Sequence, residues 1–226
     1  MKKNAKYSYV TGTRATDHGS RIYDIAGEKL PSVTTILGKT HPPEKAKKLA
    51  EWRARKGDEE ADKIMNLSSL RGTSMHKFIE AYVLQQGYED LTEIGLQAKP
   101  MAQKIIEIGL SPVSEGDGSE VTLFYPGLYA GATDLVCMHN DMETIVDFKQ
   151  SNRPKRKEWI DDYFMQVAAY AMAHDHVYGS KIKQAILMIC TPDLYYHEFK
   201  VQDEELRHWK HRFLVRLNMF YNMRQQ

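Results

Sequence analysis

Three apolar segments joined by short polar turns constrain the fold of this chain most. They occupy residues 120–125, 129–138 and 143–147, and turns this short favour an antiparallel meander. Apolar periodicity then predicts a helix over 157–177, strands over 184–190 and 195–199, and a helix from 203 to the end. This order predicts an α/β fold in which a mixed central sheet is flanked by helices.

The residues before this core are typical of a hairpin followed by helices. We expect short strands over 7–10 and 21–25, a short helix capped by Ser32, and helical segments over 44–86, with breaks near Gly57 and Gly72, and over 93–109. Residues 111–119, rich in glycine, serine and aspartate, are expected to form a loop. A chain of 226 residues is long enough for one well-buried domain. We expect that domain to comprise a hairpin and linker (1–43), a helical segment (44–110) and an α/β core (119–226).

Composition excludes several classes of protein. The two cysteines, Cys137 and Cys190, lie in apolar runs and indicate a reducing compartment, not a disulfide scaffold. The sequence shows no apolar run of signal-peptide or membrane-spanning length and no phosphate-binding loop motif of an NTPase. We therefore expect a cytoplasmic protein without a membrane contact. The net charge of +1 conceals basic segments such as 153–157, which are either solvated helix faces or parts of a nucleic-acid groove.

Charged residues interrupt the second and third strands of the predicted meander. Asp134 lies in an apolar run, where a carboxylate must be paired, exposed or bound to a metal. Asp147 and Lys149 end the next strand and share a face because they are two residues apart. Two carboxylates and the Phe148 carbonyl suit Mg²⁺, and a lysine ammonium beside them can position water and balance charge in phosphodiester hydrolysis. Alternatively, Lys149 is a salt-bridge partner of Asp147.

Two four-residue spacings place polar side chains on shared helix faces. His76 and Glu80 form one pair, and Gln166 and Tyr170 form the other. A lone helical histidine is most often a hydrogen-bonded core residue, and a glutamine–tyrosine pair is common on amphipathic helices. These residues therefore become candidates for a functional site only when their order along the chain is considered.

That order resembles a known superfamily of nucleases. The chain carries Gly-x-x-x-His at 72–76, Gly-x-x-Asp at 131–134, Asp-x-Lys at 147–149 and Gln-x-x-x-Tyr at 166–170. The series is similar to the PD-(D/E)XK superfamily in its RecB-type branch. Segments 30–37, 147–151 and 161–170 are similar to the mitochondrial genome maintenance exonucleases of that branch and their phage homologues. Two positions depart from the superfamily pattern, with Thr133 in place of proline and Asp147 where many members have glutamate.

The resemblance implies a restriction-endonuclease-like core and a Mg²⁺- or Mn²⁺-dependent DNA exonuclease. It implies that His76, Asp134, Asp147 and the Phe148 carbonyl hold the metal, that Lys149 positions the attacking water, and that Gln166 and Tyr170 contact the scissile phosphate or hold Lys149. Glu80 and Glu120 are further acidic candidates, and Ser151, Asn152 and Lys155 are candidates for binding flanking DNA phosphates. Relatives with an iron–sulfur cluster use four cysteines, so we expect no cluster in a chain with two.

The resemblance favours single-stranded DNA as the substrate, and other functions stay open. One is a double-strand-specific 5′ exonuclease for recombination, and another is a structure-specific endonuclease. A third is a non-catalytic DNA-binding protein on a nuclease fold. Trp52, Tyr82, Trp159 and Tyr163 either stack on unpaired bases or belong to ordinary packing.

Overall fold

The computed structural model of the chain describes residues 1–17 and 19–224. Its strands are β1 (Lys2–Lys3), β2 (Thr13–Asp17), β3 (Ser20–Ile25), β4 (Glu28–Pro31), β5 (Val113–Tyr125), β6 (Tyr129–His139), β7 (Met142–Gln150), β8 (Gln184–Cys190) and β9 (Tyr196–Gln202). Its α-helices are α1 (Val33–Lys39), α2 (Pro43–Lys56), α3 (Asp58–Leu84), α4 (Glu93–Lys104), α5 (Asp161–Tyr178) and α6 (Asp203–Arg224). A π-helical turn, Ile105–Gly109, continues α4, and a 3₁₀ turn, Lys157–Trp159, precedes α5.

A mixed sheet in the order β1-β5-β6-β7-β8-β9 confirms the predicted α/β class. Short turns join β5, β6 and β7 into the predicted antiparallel meander, and β9 pairs antiparallel with β8. Helix α5 connects β7 to β8, which pair in parallel because a helical crossover returns the chain in the same direction. Asp147 and Lys149 consequently lie beside Leu187 and Ile189, at the carboxyl end of this central pair.

Both faces of the sheet are covered, which explains why its strands read as nearly continuous apolar runs. On one face, Leu135, Val146 and Phe148 pack with apolar residues of α3 and α4. On the other face, Val136 and Ile145 pack with residues of α1, α5 and α6. The alternation within β6 and β7 therefore assigns each side chain to one of two core layers.

A second sheet, of strands β2, β3 and β4, carries the N-terminal residues. The predicted strand over 21–25 is confirmed within β3, whereas the one over 7–10 is wrong. Tyr7 and Tyr9 instead place their rings against His174 and Tyr178 of α5. Alternating tyrosines give the same two-residue period whether they lie in a strand or pack on a helix, so the pattern alone was ambiguous.

Helix boundaries follow the sequence signals with one exception. The Ser32 side chain caps α1 by accepting the Thr35 N–H at 3.0 Å, and Gly57 separates α2 from α3 with a left-handed φ of +81°. The break predicted near Gly72 is wrong, because α3 continues through it. A Cβ at Gly72 would lie 3.3 Å from Cγ of Gln150, so this glycine permits the close approach of α3 to the end of β7.

The loop predicted over 111–119 is wrong as well, since β5 begins at Val113. Its pairing with β6 is irregular between Val113 and Glu115 and again between Gly116 and Gly118. Glycine at such irregularities weakens the strand signal in the sequence. At the other end of the chain, the last two residues of the predicted final helix lie outside the described residues. Within the described ranges, no helix combines the length with the apolar character that a membrane crossing requires.

Candidate active site

The meander brings Asp134 to the point where β6 and β7 stop pairing. The last paired residues there are Leu135 and Val146. Beyond them, Oδ2 of Asp134 accepts the backbone N–H of Phe148 at 2.5 Å, and the side chain replaces the missing ladder bond. Asp134 is only 8% exposed, so its carboxylate is a buried acid held in a fixed position.

Asp147 and Lys149 form an ion pair at the same strand end. Nζ of Lys149 contacts Oδ2 of Asp147, and Asp147 is 2% exposed. Nε2 of Gln166, on α5, lies 3.4 Å from Oδ1 of Asp147 and donates to the Tyr170 hydroxyl at 3.0 Å. The predicted Gln–Tyr pair therefore contacts the predicted Asp–Lys pair through Asp147. The salt bridge considered as an alternative role for Lys149 is present.

Burial and neighbouring charges set the protonation of this pair. Burial raises the pKa of Asp147, to about 6, with Lys149 opposing that rise and Asp134 adding to it. Burial works against the charged form of Lys149, yet Asp147 and Asp134 outweigh it and raise the pKa of the ammonium. Lys149 is thus a cation, suited to donate hydrogen bonds and to stabilise negative charge.

His76 reaches the same strand end from α3. Nε2 donates to the Phe148 carbonyl oxygen at 2.9 Å, which leaves Nδ1 3.3 Å from Oδ1 of Asp134 and 3.8 Å from Oε1 of Glu120. Burial opposes the charged imidazole, but Asp134 and Glu120 outweigh burial and raise the pKa of His76 to about 10. The Phe148 carbonyl, predicted as a metal ligand, orients the histidine here.

A candidate cation site follows from these contacts. One ligand atom each from His76, Glu120 and Asp134 lie within 4.8 Å of one another. Glu120 lies across from Asp134, between the pairs Ser119–Leu135 and Val121–Thr133. Its φ of +51° is left-handed, a conformation that is uncommon and strained for a residue other than glycine. Two carboxylates with an imidazole suit a divalent cation such as Mg²⁺ or Mn²⁺. The donor set therefore fits the metal that the motifs imply.

These residues line one open cleft of about 630 Å³. The cleft also contains Glu80, one helical turn after His76, and burial followed by the nearby Glu120 raises the pKa of its carboxyl. Asp147, Lys149, Gln166 and Tyr170 all line it too. Thus the structure brings every candidate metal-binding and catalytic residue of the sequence to a single cavity.

The three predicted DNA contacts follow β7 and lie in a neighbouring cleft. Ser151 is buried, and its hydroxyl donates to the Arg153 carbonyl at 2.7 Å, so that hydroxyl is committed to the loop. Asn152 accepts from Arg71 and exchanges hydrogen bonds with Ser68, while Lys155 is half-buried. Of the three, Asn152 and Lys155 are the better placed to meet a ligand.

Sequence reasoning missed several residues of the clefts. Arg14 and Arg21 reach the first cleft from the N-terminal sheet, and only a long-range docking that no local pattern encodes brings them there. Arg71 is buried and donates hydrogen bonds to Gln150 and Asn152, which line the second cleft. A signal for Arg71 did exist, because it lies four residues before buried Met75 and so occupies the apolar face of α3.

Comparisons with known proteins give a consistent picture. No protein-family model matches the chain. It is 29% identical to mitochondrial genome maintenance exonuclease 1 of Mus musculus over 226 residues and 24% identical to that of Xenopus tropicalis over 217 residues. These alignments cover 93% and 89% of this chain. The chain spans 65% and 60% of the length of these relatives.

Among solved structures, a putative exonuclease from Eubacterium rectale gives a TM-score of 0.47 at 15% identity, covering 67% of this chain and 68% of that one. An alkaline exonuclease from Laribacter hongkongensis gives 0.32 at 14% identity, covering 67% and 81%. Both scores are too low to carry an argument about fold or function. The sequence matches to these exonucleases support a relationship of this chain to nucleases of the PD-(D/E)XK type.

Proposed function

We propose that the chain is a metal-dependent DNA exonuclease that hydrolyses phosphodiester bonds and uses Mg²⁺ or Mn²⁺. The observation that carries this proposal is the convergence of His76, Glu120 and Asp134 with the Asp147–Lys149 pair in one cleft. A cation-binding group beside a fixed ammonium is the combination that phosphodiester hydrolysis requires. The exonuclease relatives support the same reaction class.

Each residue has a role in this proposal. His76, Glu120 and Asp134 hold the cation, with Asp147 as a further ligand candidate. When bound, a divalent cation polarises the phosphoryl group and lowers the pKa of water. Lys149 donates hydrogen bonds from Nζ to the attacking water or to a phosphate oxygen, where negative charge grows during the reaction. Gln166, which donates to Tyr170, keeps Asp147 in position, and Asp147 holds Lys149 through their ion pair.

The proposed substrate is DNA, with a preference for single strands. Support for DNA comes from the relatives, which are named as exonucleases of genome maintenance, and from the cationic residues around the clefts. The division of the chain into domains, a role in repair or recombination, and a location in the cytoplasm of a bacterium or phage-infected cell stay predictions.

Digestion of end-labelled DNA tests the proposal. Linear single-stranded, linear duplex and circular single-stranded substrates are incubated with Mg²⁺, and we expect a ladder from the linear single strand alone. Lys149→Ala should slow cleavage by at least about a hundredfold, since one preorganised donor is lost. Lys183→Ala is the matched control, because this exposed lysine precedes β8 at the end of the sheet remote from the site.

The other outcomes identify the alternatives. Degradation of the duplex favours the double-strand 5′ exonuclease, and cutting of the circle favours an endonuclease. Binding of DNA without cleavage in Mg²⁺ or Mn²⁺ leaves the non-catalytic binding protein. Substantial cleavage by Lys149→Ala overturns the assignment of the site.

A further inference from the structure

A second cleft of about 600 Å³ opens beside the first, between α2, α3 and the loop that follows β7. This volume lies within the roughly 300–1,000 Å³ of pockets that bind small organic ligands. Ser68 and Gln150 line both clefts. The two clefts therefore adjoin, and a linear ligand bound at the catalytic residues has the second cleft next to it.

The second cleft is suited to an anion. Its lining contains Arg55, Arg153 and Lys155 and no carboxylate, whereas the first cleft contains Glu80, Glu120, Asp134 and Asp147. In the part of the chain that the structure describes, none of the three cations forms an ion pair. Burial, together with the charge of Arg153, lowers the pKa of Lys155, and an anionic ligand would oppose both effects by stabilising the charged ammonium.

A buried arginine beneath this cleft adds to the positive potential. Arg71 is 5% exposed and donates Nε to Oε1 of Gln150 at 2.9 Å, Nη1 to Oε1 of Gln97 at 3.0 Å, and Nη2 to Oδ1 of Asn152. All three acceptors are neutral amide oxygens, although a buried charge is ordinarily paired with an opposite charge. The guanidinium also holds the Gln150 and Asn152 carbonyl groups, which fixes the orientation of both amides where they line the cleft.

Aromatic side chains supply the other half of a nucleotide site. Trp52 from α2 and Tyr163 from α5 both line the second cleft and are only partly buried. Arg153, which also lines this cleft, places its guanidinium carbon 5.6 Å from the centre of the exposed Trp159 ring. The guanidinium carbon of Arg156 lies 5.2 Å from the same ring centre. In sites for single-stranded nucleic acid, aromatic rings stack on the bases while neighbouring cations bind the phosphates.

We propose that the second cleft binds one unpaired nucleotide of the substrate strand, with its base against Trp52 and Tyr163 and its phosphate among Arg55, Arg153 and Lys155. A base paired in a duplex is covered by its neighbours and does not offer its face to such rings. The cleft therefore selects single strands next to the site of cleavage. This inference rests on the proposed function, which the test below separates from it.

Binding of labelled oligothymidylate in Ca²⁺, measured by fluorescence anisotropy, tests the pocket. A set of oligonucleotides carries a single abasic residue, moved one position at a time along the strand. Wild type should bind the intact strand about tenfold more tightly than the strand that is abasic at the pocket position, the size expected for one lost stacking contact. Trp52→Leu should bind the intact strand about tenfold more weakly than wild type does, and it should bind the abasic strand with the same affinity as wild type.

Two further variants sharpen the test. Tyr82→Leu is the matched control, because Tyr82 is an exposed aromatic residue of α3 that lines neither cleft. It should bind like wild type. Lys155→Gln should lower the slope of log affinity against log salt by about 0.7, the loss of one phosphate contact to a single strand. If Trp52→Leu fails to fold, Tyr163→Leu replaces it in the same comparison.

The outcomes distinguish the pocket from the enzyme. If no abasic position weakens binding, or if Trp52→Leu and its replacement bind both strands like wild type, the pocket is overturned. Cleavage of the intact strand by wild type in Mg²⁺ is measured in parallel. Cleavage with normal binding by Trp52→Leu leaves the proposed function standing without the pocket. If Trp52→Leu no longer distinguishes the intact strand from the abasic strand, and wild type does not cleave, the pocket is supported and the nuclease function is overturned.

Discussion

Gly131 determines how closely Tyr170 can approach the sheet. A Cβ at position 131 would lie 2.5 Å from Cε1 and 2.9 Å from the hydroxyl oxygen of Tyr170, well inside van der Waals contact. Gly131→Ala should therefore push the Tyr170 ring away and break its hydrogen bond with Gln166. We expect a loss of about 1–3 kcal/mol in the free energy of unfolding, as for other overpacked sites, together with slower cleavage.

Urea unfolding and single-strand digestion measure the two effects. Gly38→Ala is the control, because Gly38 lies in α1 with no atom within 4 Å of an added Cβ. That change should leave the unfolding free energy unaltered or raise it by up to about 1 kcal/mol. A Gly131→Ala protein with normal stability and activity would show that Tyr170 needs no fixed position.

Motif spacing predicted which residues lie together in the candidate site better than it predicted their contacts. The positions of His76, Asp134 and Lys149 followed from the resemblance, and all three lie in one cleft. In the sequence Glu120 is only a further acidic candidate at the start of a strand, because its place beside Asp134 depends on pairing between strands. Which imidazole nitrogen of His76 faces the acids depends on the Phe148 carbonyl, a tertiary contact absent from any helical pattern.

At the scale of elements, periodicity predicted the sheet and failed where a segment meets a distant partner. The strand 184–190 was predicted to the residue, since a fully apolar run has few alternatives. The segment 7–10 was misassigned because its partner, α5, lies far along the chain. Local propensity predicts a helix break at Gly72, whereas the glycine instead leaves room for the side chain of Gln150, a contact that no local pattern encodes.

His174 couples the N-terminal segment to α5 in a pH-dependent way. Its Nε2 lies 3.0 Å from the Tyr9 hydroxyl and its Nδ1 lies 2.6 Å from Oγ of Ser180. Burial lowers its pKa to about 4, with Glu143 and Asp175 opposing and Lys6 assisting. The unfolded chain therefore binds this proton first, and stability present above about pH 6.5 is lost as the pH falls towards 4.

Comparing wild type with His174→Gln isolates this contribution from that of the carboxylates. The unfolding free energy of wild type should fall between pH 7 and pH 4.5 by on the order of 2 kcal/mol more than that of the variant. Urea titrations at the two pH values give this difference directly. Equal losses in the two proteins would mean that His174 takes up its proton without disturbing the fold.

At the scale of the whole molecule, charge is partitioned although the total is close to neutral. The net charge is +1. The first cleft gathers four carboxylates with Lys77 and Lys149, and the second gathers cations without an acid. Arg14 and Arg21 add positive charge to the first cleft from the N-terminal sheet, which is attached to the main sheet by a bridge between Ser32 and Ala130. We therefore expect DNA affinity to depend on where a cation lies more than on the total charge.

Two double variants of equal charge test this expectation. Arg14→Gln with Arg21→Gln removes two cations from the first cleft, and Lys181→Gln with Lys183→Gln removes two exposed ones that line neither cleft. Both proteins change by the same net charge, so a dependence on total charge predicts equal losses. A dependence on cleft cations predicts weaker single-strand binding only for the arginine pair, with a salt slope smaller by about 1.4 if each arginine meets one phosphate. Anisotropy titrations over a series of salt concentrations measure both quantities, and a matching loss in the lysine pair would contradict a localised binding path.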